Sequence, residues 1–183
     1  MHVFSVDVDW AAPISEEAPS GADLEYSQEF AELEAAATPT PEQEFGEADR
    51  LVRGIALALG ADDEIEQGFI RQLTGGVGIG AEQAHRQAGG LQRVLELSTE
   101  LSRRSHDLRV VLWLARAATR LLGLAGLAGA VEAAEILLRE KWTSVHPQTV
   151  VDGTDDPHIR YGVLCEFSAP DGLVADLRQA TGL

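Results

Sequence analysis

The chain has 183 residues, of which 45% are hydrophobic, enough for one domain that buries most of the surface exposed by its unfolded chain. It carries 14 Lys and Arg against 30 Asp and Glu, and the net charge of -16 argues against a protein that mainly binds nucleic acid or an anionic membrane surface. The single cysteine, Cys165, excludes an internal disulfide framework and a multi-cysteine zinc site, and we expect it to be a buried core thiol.

The N-terminal part carries most of the excess charge. Residues 1–49 contain 13 acids, and no Lys or Arg precedes Arg50. A secretory signal would need a basic start, and the longest apolar run, Leu121–Val131, is shorter than the roughly 20 residues of a membrane span. We therefore expect a cytoplasmic protein without membrane insertion.

The first elements are an arm and a helix. Phe4, Val6, Val8 and Trp10 alternate with polar residues, which predicts an extended arm over residues 1–21 or a short edge strand. Helical spacing predicts a helix over residues 22–37, which ends at the Thr-Pro repeat of residues 38–41. We expect this helix to pack on the rest of the protein through Tyr26, Phe30 and Leu33.

Apolar spacing predicts two further helices, over residues 47–59 and around Ile65–Leu73. The glycine run from Gly75 to Gly80 fits neither phosphate-binding fingerprint, so we interpret it as a connector. A long helix is expected from residue 81 to residue 104, with Gly89-Gly90 as a break or a close-packing point.

The C-terminal half predicts a buried core. Residues 107–122 are apolar around nearly the whole circumference, which is typical of a central helix. A second apolar helix follows over residues 124–142, then a loop over residues 143–156, a helix that begins at Pro157 with Asp156 as its cap, and a last helix over residues 171–181. The fold class is therefore all-α: a bundle of about seven or eight helices with an extended acidic N-terminal arm, forming one domain over residues 1–183.

Two groups of residues have the chemistry of a catalytic site. Ser105-His106-Asp107 contains the residue types of a hydrolase triad, but consecutive side chains point in different directions, so we expect Ser105 or Asp107 to cap the central helix. The loop with His146 and residues 152–158 offers imidazole and carboxylate groups, and its alternative interpretations are a structural loop and a small metal-dependent hydrolase. We assign no catalytic, cofactor-binding or metal-binding residue.

Positive charge is concentrated between residues 93 and 120. The arginines in this region either pair with the acidic front of the chain or form a docking surface for an acidic partner, and we favour pairing because the last three lie in the central helix. The arginines are Arg93, Arg103, Arg104, Arg109, Arg116 and Arg120.

Ordered motifs resemble the N-terminal domain of the ImpA/TssA proteins of bacterial type VI secretion systems. In the front part they are Pro13-Ile14-Ser15, the run from Ala18 to Tyr26, Phe30, Leu33 and Glu34, and the run from Pro41 to Gly46. In the second half they are Ser105 to Val110, Trp113 to Ala117, Gly123 to Leu127, Trp142 with Val145-His146-Pro147, and Asp155-Asp156-Pro157 with Arg160. The chain departs from the family pattern by an atypical helical insertion over residues 47–90 and by Ser20 where a cysteine is common.

The resemblance implies a non-enzymatic cytoplasmic assembly factor whose partners are other type VI secretion proteins of the baseplate, sheath or tube. It also implies that oligomerisation requires a ring-forming C-terminal region that this sequence does not contain. No cofactor is implied.

Two surfaces are candidates for partner binding: the front segment around Asp23, Glu25, Glu29 and Glu32, and the inserted helices, where Phe69 could act as an anchor although a core position is the stronger interpretation. A third functional hypothesis is an acidic decoy that occupies a basic partner surface through acids of the front part, namely Glu16, Glu17, Glu32 and Glu34.

Overall fold

The computed structural model describes residues 8–38, 81–151 and 153–181. Within these ranges lie six helices and one small hairpin, which confirms the predominantly helical fold. The helices are α1 (Gln28–Ala37), α2 (Ala81–Ser102), α3 (Leu108–Leu122), α4 (Leu124–Glu140), α5 (His158–Glu166) and α6 (Leu173–Thr181). The predicted helices over residues 47–59 and 65–73, the glycine run, Phe69 and residues 1–7 lie outside the described ranges, so the count of seven or eight helices stays a prediction.

The chain divides into two compact units, one of Met1–Ala37 with Gly90–Leu183 and one of Thr38–Gly89. Most of the second unit, residues 39–80, lies outside the described residues. The packing and the surfaces described below belong to the first unit.

The core is built around α3, as its apolar circumference predicts. Leu108, Val111 and Leu114 pack with α4 and with Trp10 in one cluster. Val110 and Ala117 pack with α1 and α2 in a second cluster, and Ala115 joins α4 and α6 in a third. Every neighbouring element therefore takes its position from this helix.

Local signals set the ends of α3. Asp107 lies before its first residue and accepts a hydrogen bond from the Arg109 amide at 2.8 Å, as expected of an N-cap. Gly123 ends the helix at φ +66° and allows α4 to start at once. A Cβ at Gly126 would lie 2.2 Å from the Ala118 carbonyl oxygen, so the α3–α4 crossing requires glycine there.

Two local predictions are wrong, and one element was not predicted. α2 runs unbroken through Gly89, and a Cβ there would meet nothing within 4 Å, so this glycine is no close-packing point. Cys165 is exposed because α5 turns Arg160 inward and leaves Cys165 facing solvent. The loop after α4 contains an antiparallel hairpin that we did not predict: β1 (Val150–Val151) pairs with β2 (Thr154–Asp155), with Val150 opposite Asp155 and Val151 opposite Thr154.

Among the described residues, no helix is both long and apolar enough to cross a membrane.

Candidate interaction site

The front segment, defined here as residues 8–38, is the acidic part of the chain that the structure describes. Buried side chains attach it to the helices along its whole length, from Trp10 through Leu24 to Phe30 and Leu33 on α1. Phe30 and Leu33 therefore confirm the predicted packing. The burial of Leu24 was not predicted. The only sign of it in the sequence is that an apolar residue stands between two acids.

The centre of this attachment is the backbone around Gly21, which forms an isolated antiparallel bridge with Ser105. Gly21 has φ +74°, and a Cβ there would lie 2.1 Å from the Arg104 carbonyl oxygen. The Ser20 carbonyl accepts a hydrogen bond from the His106 amide at 2.8 Å. Glycine is required here by both the dihedral angle and the contact distance.

The Ser105-His106-Asp107 sequence serves this attachment and the helix cap. The Ser105 hydroxyl donates to the carbonyl oxygens of Ser20 at 3.2 Å and Ala22 at 2.7 Å. Asp107 caps α3 and pairs with Arg109. Neither ring nitrogen of His106 has a hydrogen-bond partner among the described residues, so no serine–histidine–aspartate relay forms.

His106 is completely buried, with its ring 6.1 Å from the Trp10 ring. Burial lowers the pKa of His106, and the charge of Lys141 lowers it further, whereas Asp9 acts in the opposite direction. The neutral imidazole is therefore the form that fits this position.

His146 also joins the front segment to the bundle. Its Nε2 lies 3.1 Å from the Gly21 carbonyl oxygen, which can only accept, so this nitrogen carries the proton. Its Nδ1 lies 3.6 Å from an Asp23 carboxylate oxygen. Asp155, Asp156 and His158 are exposed, Asp156 accepts the His158 amide as a local cap, and Asp152 lies outside the described ranges.

In the described part of the chain, no three His, Cys, Asp or Glu side chains come close enough to hold a metal ion. The observed contacts of this loop are the bond of the His146 ring to a backbone carbonyl and the cap that Asp156 forms with the His158 amide.

Arg109 connects three acids. Its guanidinium lies 2.7 Å from Asp107, 3.0 Å from Asp23 and 3.3 Å from Glu25, and it covers the Phe30 ring at 4.9 Å. Burial alone would lower the pKa of Arg109, but the hydrogen bonds and charge of Asp107, followed by those of Asp23, raise it above its ordinary value. The guanidinium therefore stays charged and holds the front segment to α3.

The four candidate partner-binding acids on α1 and in the turn before it all form ion pairs within the chain. Asp23 and Glu25 pair with Arg109, Glu29 pairs with Arg104 at 2.9 Å, and Glu32 pairs with Arg93 at 3.8 Å. All four side chains remain 44–48% exposed, so a partner can still reach them.

The pKa values of two of these acids reflect the pairing. Burial raises the pKa of Asp23, but the Glu25 amide and the charges of His146 and Arg109 outweigh it, and the net direction is downward. The hydrogen bond from Arg104 lowers the pKa of Glu29. Both acids are therefore ionised at neutral pH.

Pairing within the chain is confirmed for the three arginines of the central helix. The predicted partner, an acid of the front segment, is found for Arg109 but not for the pairs of Arg116 and Arg120. Arg116 and Arg120 both pair with the buried Asp176 of α6, at 2.8 Å and 3.5 Å. Arg93, Arg104 and Arg109 pair with acids of the front segment.

Tyr26 contradicts the expectation that it packs on the bundle, because its side chain is 95% exposed. Since α1 begins at Gln28, Tyr26 lies in the preceding turn and the helical spacing that links it to Phe30 does not apply. We call the surface formed by Asp23, Glu25, Tyr26, Glu29 and Glu32 the docking face.

Arg160 belongs to a motif that the sequence singled out, but its burial and its contacts were not predicted. It is 1% exposed and donates to the carbonyl oxygens of Pro147 at 2.8 Å, Val145 at 2.6 Å and Trp142, whose ring it also contacts at 4.6 Å. Burial lowers its pKa and Asp155 opposes this, yet guanidinium remains protonated in proteins. Arg160 therefore holds the loop that carries His146.

An open groove of about 500 Å³ lies between α4 and α5. Its floor is apolar, formed by Val131, Ala134, Leu138, Leu164 and Phe167, with the Glu135–Arg139 pair at its edge. None of its lining residues belongs to the front segment, so the groove and the docking face are separate surfaces.

Residues 11–168 match the protein family described as ImpA, N-terminal, type VI secretion system. The chain is 31% identical over 165 residues to the type VI secretion system component TssA1 of Pseudomonas aeruginosa, an alignment that covers 90% of this chain and 36% of that protein. A solved structure of the TssA N-terminal domain with the conserved ImpA_N region, from Burkholderia cenocepacia, matches with a TM-score of 0.55 and 27% identity over 87% of this chain and 45% of that chain. The chain thus spans little more than a third of TssA1 and less than half of the solved chain.

Proposed function

Because the chain belongs to the ImpA N-terminal family of type VI secretion proteins, we propose that it is a non-enzymatic, cytoplasmic protein-interaction domain that acts in assembly of the baseplate and of the tail sheath and tube. We further propose that the docking face contacts the partner.

One observation supports this proposal most. The residues with catalytic chemistry serve to attach the front segment to the bundle. The Ser105 hydroxyl, the His106 amide and the His146 ring bind carbonyl oxygens of the front segment. Asp107 holds Arg109, which pairs with acids of the front segment. Their contacts create an ordered acidic surface. Such a fixed surface suits recognition of a folded partner, since little conformational entropy is lost on binding.

The experiment is a binding measurement between the purified chain and purified tube, sheath and baseplate subunits of a type VI secretion system. We expect one of them to bind, and deletion of the domain to impair sheath assembly in the cell. Failure of all subunits to bind, together with normal sheath assembly in the deletion strain, would refute the proposal.

Two double variants of equal charge change separate a specific face from a general acidic decoy. Glu29→Lys with Glu32→Lys alters the docking face, whereas Glu16→Lys with Glu17→Lys alters exposed acids elsewhere in the front segment. A specific face predicts that only the first pair weakens binding. Equal weakening by both pairs, with a steep dependence on salt, would favour the decoy.

The metal-dependent alternative has its own test. We expect no change in the thermal unfolding midpoint when zinc or manganese is added to the purified chain. A metal-dependent rise that His146→Ala removes would support the hydrolase instead.

A further inference from the structure

Tyr26 has the most exposed large apolar side chain among the described residues, at 95%, compared with 61% for the next, Leu124. Its ring contributes nothing to the core, although its neighbours Leu24 and Phe30 are 4% and 3% exposed. Packing of the chain therefore accounts for both neighbours and leaves the position of Tyr26 unexplained.

The turn that carries Tyr26 is held on both sides. The Asp23 carboxylate accepts the Glu25 amide at 3.0 Å, the Leu24 carbonyl accepts the Ser27 amide at 2.8 Å, and the Ser27 hydroxyl accepts the Phe30 amide at 3.1 Å. The main chain at Tyr26 is thus ordered before any partner arrives. A tyrosine presented in this way offers a large contact area and loses only two side-chain rotations on binding.

The charges around the ring indicate the partner's chemistry. Arg104 balances Glu29, whereas Asp23 and Glu25 share Arg109 with the buried Asp107. The His146 ring, 3.6 Å from Asp23, offsets at most one more charge, so this part of the surface keeps an excess of negative charge. A second copy of the chain would present the same sign and be repelled. A partner with Lys or Arg beside an apolar recess would be complementary.

We propose that Tyr26 is the anchor of the docking face: its ring enters an apolar recess of a partner protein, and basic residues at the edge of that recess face Asp23 and Glu25. This inference rests on the proposed assembly function and specifies the contact through which it operates. An aromatic ring enclosed at the centre of an interface is the usual origin of a binding hot spot.

The test measures the affinity of three variants for the tube, sheath or baseplate subunit that the wild-type chain binds. Tyr26→Ala should weaken binding by about 30-fold or more, the level of a hot-spot residue, and Tyr26→Phe should keep most of the affinity. The control is Tyr161→Ala, which removes the chain's other tyrosine, 52% exposed on α5, and should leave the affinity unchanged. Urea unfolding should show that none of the three loses the fold.

The outcomes are distinguishable. If Tyr26→Ala binds the recognised subunit as tightly as the wild type, the anchor is refuted while the assembly function stands. If the wild type binds no subunit and the deletion strain assembles its sheath normally, both are refuted. If Tyr26→Ala instead abolishes a concentration-dependent dimer, the occupant is a second copy and the proposed basic partner is refuted.

Discussion

Gly21→Ala tests whether the front segment is held by close backbone contact. The control is Gly153→Ala, because Gly153 has nearly the same dihedral angle, φ +78° against +74°, and a Cβ there would meet nothing within 4 Å. A positive φ costs an L-residue about 1–2 kcal/mol, part of which the lower entropy of the unfolded chain offsets, so the control should lose about 1 kcal/mol.

At Gly21 the added methyl group would lie 2.1 Å from the Arg104 carbonyl oxygen, and the backbone must separate. Separation breaks three hydrogen bonds to carbonyl oxygens of residues 20–22. The donors are the His106 amide, the Ser105 hydroxyl and the His146 ring, and each bond contributes about 1 kcal/mol to stability. Gly21→Ala should therefore lose about 4 kcal/mol, roughly 3 kcal/mol more than the control.

Urea unfolding of both variants gives the comparison directly, and hydrogen exchange should show faster exchange in residues 8–38 of Gly21→Ala alone. Equal losses of stability in the two variants would show that the backbone contact at Gly21 contributes nothing and that only the dihedral angle matters.

Three further predictions concern stability. The pKa of His106 in the folded state lies below its ordinary 6.5, so its contribution to the free energy of unfolding is complete above about pH 6.5. That contribution is lost as the pH falls below this value, by up to about 1.4 kcal/mol per pH unit. Urea unfolding at several pH values should therefore show a smaller loss of stability in acid for His106→Leu than for the wild type, and identical pH profiles would contradict this reasoning. Arg160→Met leaves three carbonyl groups without their donor and should lower the stability by about 3–5 kcal/mol. Arg160→Lys should restore only part of this stability, because an ammonium group lacks the planar arrangement of donors of a guanidinium. A thermal unfolding midpoint of Arg160→Lys equal to that of the wild type would argue against a geometric role. Leu33→Ala should lower the free energy of unfolding by about 2–5 kcal/mol, whereas Leu124→Ala, at an exposed position, should lower it by less than about 0.5 kcal/mol. Similar losses for the two variants in chemical denaturation would mean that α1 is not part of the core.

Local physics explains what could be predicted from the sequence. The apolar circumference of α3, its Asp107 cap and the Gly123 end are properties of short stretches, and the structure reproduces them. The hairpin over β1 and β2 also had a local signal, because Asp-Gly between β-branched residues favours a two-residue turn, but we interpreted residues 143–156 as an irregular loop.

Contacts between distant parts of the chain had no such signal. Arg109 meets Asp23 and Glu25 across more than eighty positions, and helical spacing could not reveal which acid each arginine would meet. Arg160 carries a charge that composition assigns to the surface, and its burial depends on carbonyl groups supplied by a loop. The candidate acids were thus identified by charge, whereas their pairing and the exposure of Tyr26 required the tertiary structure.

The mode of binding at Arg160 has a consequence for how this domain can diverge. Its guanidinium binds main-chain oxygens of Trp142, Val145 and Pro147, and every residue type supplies such an oxygen. Substitutions in the loop after α4 can therefore accumulate without removing these hydrogen bonds, provided that the arginine itself remains. A single arginine side chain can in this way preserve the course of a loop while the side chains that the loop presents to solvent change.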